Sequence, residues 1–250
     1  NSPVIMEPIF AIDMHVRALS TASLSAMANI MRATHLDEAI FASLCRESDM
    51  YHVLQRCAIL VSRMALTMPP PMFHDMVRAT ASWPDLCRRL ISTSATLSHA
   101  RSRKLVALGL AHMLRHASAQ DKGLLSAVPD MIGMWTEVVG EVVEDEAGSA
   151  DRYERELSPT RALEIGEDGI PFLDEFGLIE AAPTPSSART DAVRSRDPSF
   201  NVPLRAYVAD TLNAVLQNGS YKTQLQSLLA TIDPLVLDTL QRGLSERPVA

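Results

Sequence analysis

The 250-residue sequence predicts an all-α chain organised as an α-solenoid of antiparallel helix pairs. Three observations carry that prediction. Aromatic residues make up only 5% of the chain while methionine numbers 12, and Leu and Ala recur throughout, a bias toward helix formers and away from the residues that sheets favour. Apolar residues recur at the 3, 4 and 7 spacings that mark one face of a helix. The turns between these stretches are short, so each helix must fold back on the one before it.

His35, Asp37 and Glu38 read as the polar start of a helix that carries Ile40, Phe41 and Leu44 inward. In MYHVLQRCAILVSRMALTM, at 50–68, Leu54, Cys57, Val61, Met64, Ala65 and Met68 form one stripe, with His52, Arg56 and Arg63 opposite. Pro69, Pro70 and Pro71 end that helix. A second helix spans about 71–81 and buries Met72, Phe73, Met76 and Val77. A third begins near Pro84 with Leu86, Leu90 and Ile91. In SRKLVALGLAHMLRH, Val106, Leu110, Met113 and Leu114 make a stripe that Leu105 and Leu108 broaden, so this helix must be covered on more than one side. Its partner starts after Val128, with Pro129 as first helical residue and Met131, Trp135, Val138 and Val142 inward. Comparable helix starts near residues 51 and 102 exceed the ~40–47-residue period of simple helical-pair repeats, because an extra helix at about 84–93 is inserted between them. Stacked pairs of this kind bury their faces only against the next pair.

From about 145 to 200 the pattern gives way to acid and then to PTPSSARTDAVRSRDPS. The organisation expected is helical repeats over 1–145, an acidic then Ser/Pro-rich linker over 146–200, and closing helices of the same solenoid over 201–250. Within the linker only Ile170, Phe172, Leu173, Phe176, Leu178 and Ile179 offer an apolar island that could dock on the repeats. Ser158 and Thr184 each precede a proline there and are expected phosphorylation points that would deepen the negative field. Helices resume with Asn201 as N-cap before Val202 and Pro203, and Leu204, Tyr207, Val208, Leu212 and Val215 share a face. The last helix starts at Asp233–Pro234 and stops near Gly243.

Charge and chemistry then narrow the function. The net charge is −7, but residues 141–180 hold 13 acidic and 3 basic side chains, so that stretch carries −10 and the remainder +3. A chain of that balance is not built for duplex nucleic acid. Cys45, Cys57 and Cys87 are odd in number and unpatterned, as buried thiols in a reducing compartment are. No apolar stretch reaches the roughly 20 residues of a membrane span, so no membrane insertion is expected. Beginning at Asn1 without a methionine, the chain reads as part of something longer.

His112 and His116 have the spacing of zinc-protease ligands, but Met113 stands where that motif needs its glutamate, and two histidines leave zinc short of ligands. GEDG at 166–169 lacks the strand and helix of a phosphate loop, no nucleophile elbow is present, and Asn218-Gly219-Ser220 is a chance glycosylation match. No catalytic, metal or cofactor residues are expected. What remains is the junction MIGMWTEVVGEVVEDEAGSADRYERE, at 131–156. There Gly133, Glu137, Gly140, Glu141 and Glu144 share the face opposite Trp135, Val138 and Val142, and the acid continues through Asp145 and Glu146. Two readings stand: a solvated helix face, which is what most charge runs are, or an anionic partner surface formed by Glu137, Glu141, Glu144, Asp145 and Glu146.

Four segments in order, LSHARSRKLVALGLAHML (97–114), MWTEVV (134–139), DPSFNVPLRAYVADTL (197–212) and LLATIDPLVLDTL (228–240), resemble the C-terminal end of importin-β superfamily receptors, nearest the fungal branch of the importin-eleven class. The resemblance covers about 50–145 and 197–244 around a variable acidic linker. It implies a HEAT-repeat solenoid and a nuclear import receptor that binds protein cargo with basic segments, passes through pores by way of nucleoporins, and is governed by the GTPase Ran while shuttling between cytoplasm and nucleus. The family's main Ran surface lies in N-terminal repeats, so no Ran contact transfers to these positions. Ser199 and Phe200 also depart from a more polar step in the family pattern. The alternative from another class is a HEAT-repeat scaffold subunit of a stable multiprotein complex; a helical enzyme ranks third.

Overall fold

In the computed structural model of the chain, the residues described are 9, 11–13, 15, 16, 21–45, 51–118, 120, 121, 123–156 and 197–245. They form eleven α-helices and, among the described residues, no strand. The helices are α1 (Thr21–Ala33), α2 (Leu36–Cys45), α3 (Tyr51–Thr67), α4 (Pro70–Thr80), α5 (Trp83–Ser94), α6 (Ala100–Arg115), α7 (Val128–Glu156), α8 (Pro198–Asn201), α9 (Leu204–Gln217), α10 (Gly219–Leu229) and α11 (Pro234–Ser245). A 3₁₀ turn, Leu125–Ala127, leads into α7. The island at 170–179, Ser158 and Thr184 lie outside the described residues.

The helices stack in two layers. One layer sets α3, α6 and α9 side by side, the other α5, α7 and α11, and each helix of the first packs on its counterpart in the second. Side-chain contacts fix the directions. Gln55 at the start of α3 bonds Thr96 just ahead of α6, and Ser62 farther along α3 meets Gly109 farther along α6, so α3 and α6 run parallel. Trp135 of α7 donates from Nε1 to the Ala107 carbonyl of α6 (3.1 Å), while Arg103, earlier in α6, meets Glu137 and Glu141, later in α7. Helices α6 and α7 are therefore antiparallel. The stacked layers make an α-solenoid, with α1, α2 and α4 continuing the packing at one end and α10 joining α9 to α11 at the other.

Burial follows the apolar patterns. Trp135, Met131 and Val138 are fully covered, as are Phe41, Leu86, Leu90, Leu110 and Met113. Full burial of an aromatic the size of Trp135 is among the larger single contributions to such a core. Cys57 and Cys87 are buried free thiols, pushed up to about 12 by burial; Cys45 is half-buried, and its thiol is raised by burial as well. Local signals set the helix ends. Ser82 caps α5 by accepting from the Asp85 amide (3.3 Å), and Asp233 accepts from Leu235 at the start of α11 (2.8 Å).

Three features differ from the sequence reading. Arg63, placed on the polar face of its helix, is only 2% exposed: Nε pairs with Asp13 at 2.8 Å and Nη1 with Asp197 at 2.7 Å. Helix α3 is surrounded on nearly every side, so it has no polar face, and the arginine is accepted because two carboxylates answer it. Asn201 is not the N-cap: it ends α8, and the capping side chain is Asp197, which accepts from the Ser199 amide (3.0 Å) and hydroxyl (2.8 Å). Helix α7 continues past residue 145 to Glu156.

Candidate functional site

The outward face of α7 carries Glu137 and Glu141, two of the acidic positions singled out in the sequence. Glu137 is 67% exposed and Glu141 37% exposed. Both are met by one arginine of the antiparallel partner helix: Arg103, 15% exposed, holds Glu137 at 3.2 Å through Nη2 and pairs Glu141 through Nη1. Two carboxylates on one guanidinium leave a surplus negative charge. Glu144, Asp145 and Glu146 follow on the same helix, and their side chains lie outside what the structure describes.

Glycine shapes this face. A methyl built at Gly133 or Gly140 would meet no atom within 4 Å, so neither glycine is demanded by packing. Both thin the helix surface where a larger side chain would stand out. Beside Gly133 an open cleft of about 460 Å³ separates the C-terminal end of α5 from the first half of α7, with Arg88, Ile91, Ala95, Asp130, Met134 and Glu137 among its walls. Arg88 is already paired with Asp85 at 2.7 Å in an exposed i,i+3 contact. Asp85 in turn is held below the usual carboxylate range by the Ser82 hydroxyl first and Arg88 second. Asp130 is exposed and has no ion-pair partner among the described residues.

Sequence reasoning grouped Glu137 with Glu141 correctly but missed Arg103 and Asp130. Asp130 lies on the same period, seven residues before Glu137, and counting back two turns would have found it. Arg103 could not be found that way, because its role depends on the register of two antiparallel helices.

A second polar cluster lies in the interior. His74 of α4 places Nδ1 2.9 Å from Asp121, the Trp83 indole donates to the same carboxylate at 3.1 Å, and the Ser118 amide and hydroxyl donate at 2.7 and 2.8 Å. Burial works against ionisation of Asp121, but His74 and Ser118 outweigh it and hold the carboxyl below its usual range. The bonds anchor the turn after α6 to α4 and α5. Nearby, His112 bonds the Tyr207 hydroxyl of α9, Arg115 lies over the Tyr207 ring (5.5 Å), and the His112 and His116 rings are 4.4 Å apart. Burial, then His116, His74 and Arg115, push the His112 pKa down to about 4. A neutral imidazole engaged by a tyrosine is a packing element, and among the described residues no three His, Cys, Asp or Glu side chains converge to hold a metal ion. Nor is any described helix long and apolar enough to cross a membrane.

Stacked helix pairs of this kind make an all-α repeat array. A family model described as Importin-11-like, TPR repeats, matches residues 9–245. The chain belongs to this importin-11-like family, a nuclear import receptor family that is not enzymatic. No curated protein and no solved structure matches the chain. The description names TPR where the sequence reading gave HEAT repeats; both are stacked antiparallel pairs, and here α4 and α5 together intervene between α3 and α6, stretching the repeat beyond the ~34 residues of one and the ~40–47 of the other.

Proposed function

We propose that this chain is the C-terminal, cargo-contacting part of an import receptor, nearest the fungal branch of its class, and that the acidic face of α7 recruits protein cargo through a Lys/Arg-rich segment. Ran and nucleoporins engage the receptor elsewhere, and the whole shuttles between cytoplasm and nucleus. The observation that carries this reading is the outward acid of α7: Glu137 and Glu141 share a single arginine, Asp130 has no ion-pair partner among the described residues, and two glycines leave the face open. Clustered like charge raises the encounter rate with an oppositely charged segment and enforces choice of partner.

Each exposed pair contributes only about 0–1 kcal/mol, so the face acts collectively. The test is an anisotropy titration of a fluorescein-labelled Lys/Arg-rich peptide against wild type and a variant with Glu137, Glu141, Glu144, Asp145 and Glu146 all changed to Lys, at low and moderate salt. The expected result is a clear loss of affinity in the variant, larger at low salt. Equal affinities at both salt levels leave the face as a solvated helix surface.

A further inference from the structure

We propose that the cleft between the end of α5 and the first half of α7 is the docking point for one basic side chain of the cargo segment. A lysine or arginine lays its aliphatic stem on Ile91 and Met134 and holds its charge between Asp130 and Glu137. This inference rests on the cargo reading above and goes further, since a diffuse acidic field requires no cleft.

The first support is charge. Of the ionised groups at the cleft, Arg88 is balanced by Asp85, and Arg103 is shared by Glu137 and Glu141. Asp130 has no ion-pair partner among the described residues. The balance is two negative charges, one at each end of the α7 wall. Asp130 sits in the first turn of α7 and also answers that helix's positive end. The last turn of α5, at the opposite wall, contains no basic residue, so its negative end stands uncompensated by a side chain. The two helix ends therefore offset each other and leave the side-chain balance in place.

The second support is shape. Asp130, Gly133 and Glu137 follow each other along one face, so the two carboxylates are separated by about two helical turns with a glycine between them. That glycine leaves room for a chain to lie against the helix backbone. Ile91, Ala95, Pro129 and Met134 make the remaining surface mostly apolar. A volume of about 460 Å³ lies within the range of pockets that take small ligands. Lysine and arginine suit such a place because their stems cover apolar surface while the charged head stays at a polar rim.

The test fills the cleft without touching its charge. Gly133→Leu places a side chain into open space at a helical position, so the protein folds, and its thermal midpoint is measured to confirm it. Ser227→Leu, on the exposed side of α10, adds the same side chain elsewhere. The probe is a short fluorescein-labelled peptide alternating lysine and valine, followed by anisotropy with the 250-residue chain. The expected result is binding by wild type and by Ser227→Leu, and roughly tenfold or greater loss in Gly133→Leu. A peptide with glutamate for lysine is expected not to bind, and Asp130→Asn is expected to weaken the lysine peptide. Wild-type affinity in Gly133→Leu, together with loss in the five-lysine variant, overturns the cleft while leaving the acidic face standing. Tight binding of the glutamate peptide, or no binding of the lysine peptide to wild type, overturns both.

Discussion

Arg63 is among the largest fully buried side chains, and it joins positions 50 and 134 residues away in sequence. Removing a partner from a buried charge network strands the others in low dielectric, which typically costs about 3–5 kcal/mol. Arg63→Met is expected to lower unfolding stability by that order in urea titrations. Adding Asp13→Asn and Asp197→Asn should restore part of the loss, because neutral amides need no counter-charge; no restoration would make the effect one of packing alone. His112 gives the second residue-scale expectation. Its folded pKa of about 4 lies below the unfolded value of about 6.5, so between those values the unfolded chain binds a proton that the folded chain does not. Stability is therefore undiminished above about pH 6.5 and falls as pH drops toward 4, by about 3 kcal/mol in all. His112→Gln, which cannot titrate, should show a correspondingly shallower loss between about pH 7 and 4.5. Identical pH profiles would remove His112 from that balance.

At the scale of helices, the distance between α3 and α6 is set by glycine. A methyl at Gly109 would lie 2.9 Å from both the Cα and Cβ of Ser62, and on the Ser62 side the contact is backbone that cannot turn away. Gly140, on the open face of α7, would meet nothing. Alanine is the better helix former by about 1 kcal/mol at either site, so the same substitution should act in opposite directions. Gly140→Ala should raise the thermal midpoint, and Gly109→Ala should lower it at a cost of about 1–3 kcal/mol. A stabilising Gly109→Ala would show that the two helices do not pack this closely. The inward sets of α3 to α7 were legible in the sequence because burial repeats with the helical period, and Trp135, Val138 and Met131 needed nothing more. Arg63 was not legible, since the stretch of α3 from Cys57 to Ala65 is buried on every side and leaves no polar face there for the period to mark. Asp197, not Asn201, caps the return to helix because either residue type serves, and the choice depends on Arg63 waiting in α3.

For the whole molecule, the two-layer array explains why its acid faces outward on α7: the inner face of that helix is spent on α6 and α11. The acidic run itself was plain in the sequence, whereas its partial neutralisation by Arg103 belongs to the register of the pair. That register sharpens the account, because the field a cargo meets is the surplus over Arg103 and not the full count of carboxylates. A field of this kind acts mainly on the approach of the partner and is screened within about 10 Å at 0.1 M salt. Rate, more than equilibrium affinity, is therefore its signature. The most direct measurement is the stopped-flow association rate of a Lys/Arg-rich peptide with the chain as ionic strength rises, compared between wild type and the variant with Glu137, Glu141, Glu144, Asp145 and Glu146 changed to Lys. The account predicts a wild-type rate that falls steeply with salt toward the slower, flatter rate of the variant, with dissociation much less affected. A wild-type rate independent of salt and equal to the variant's would contradict it.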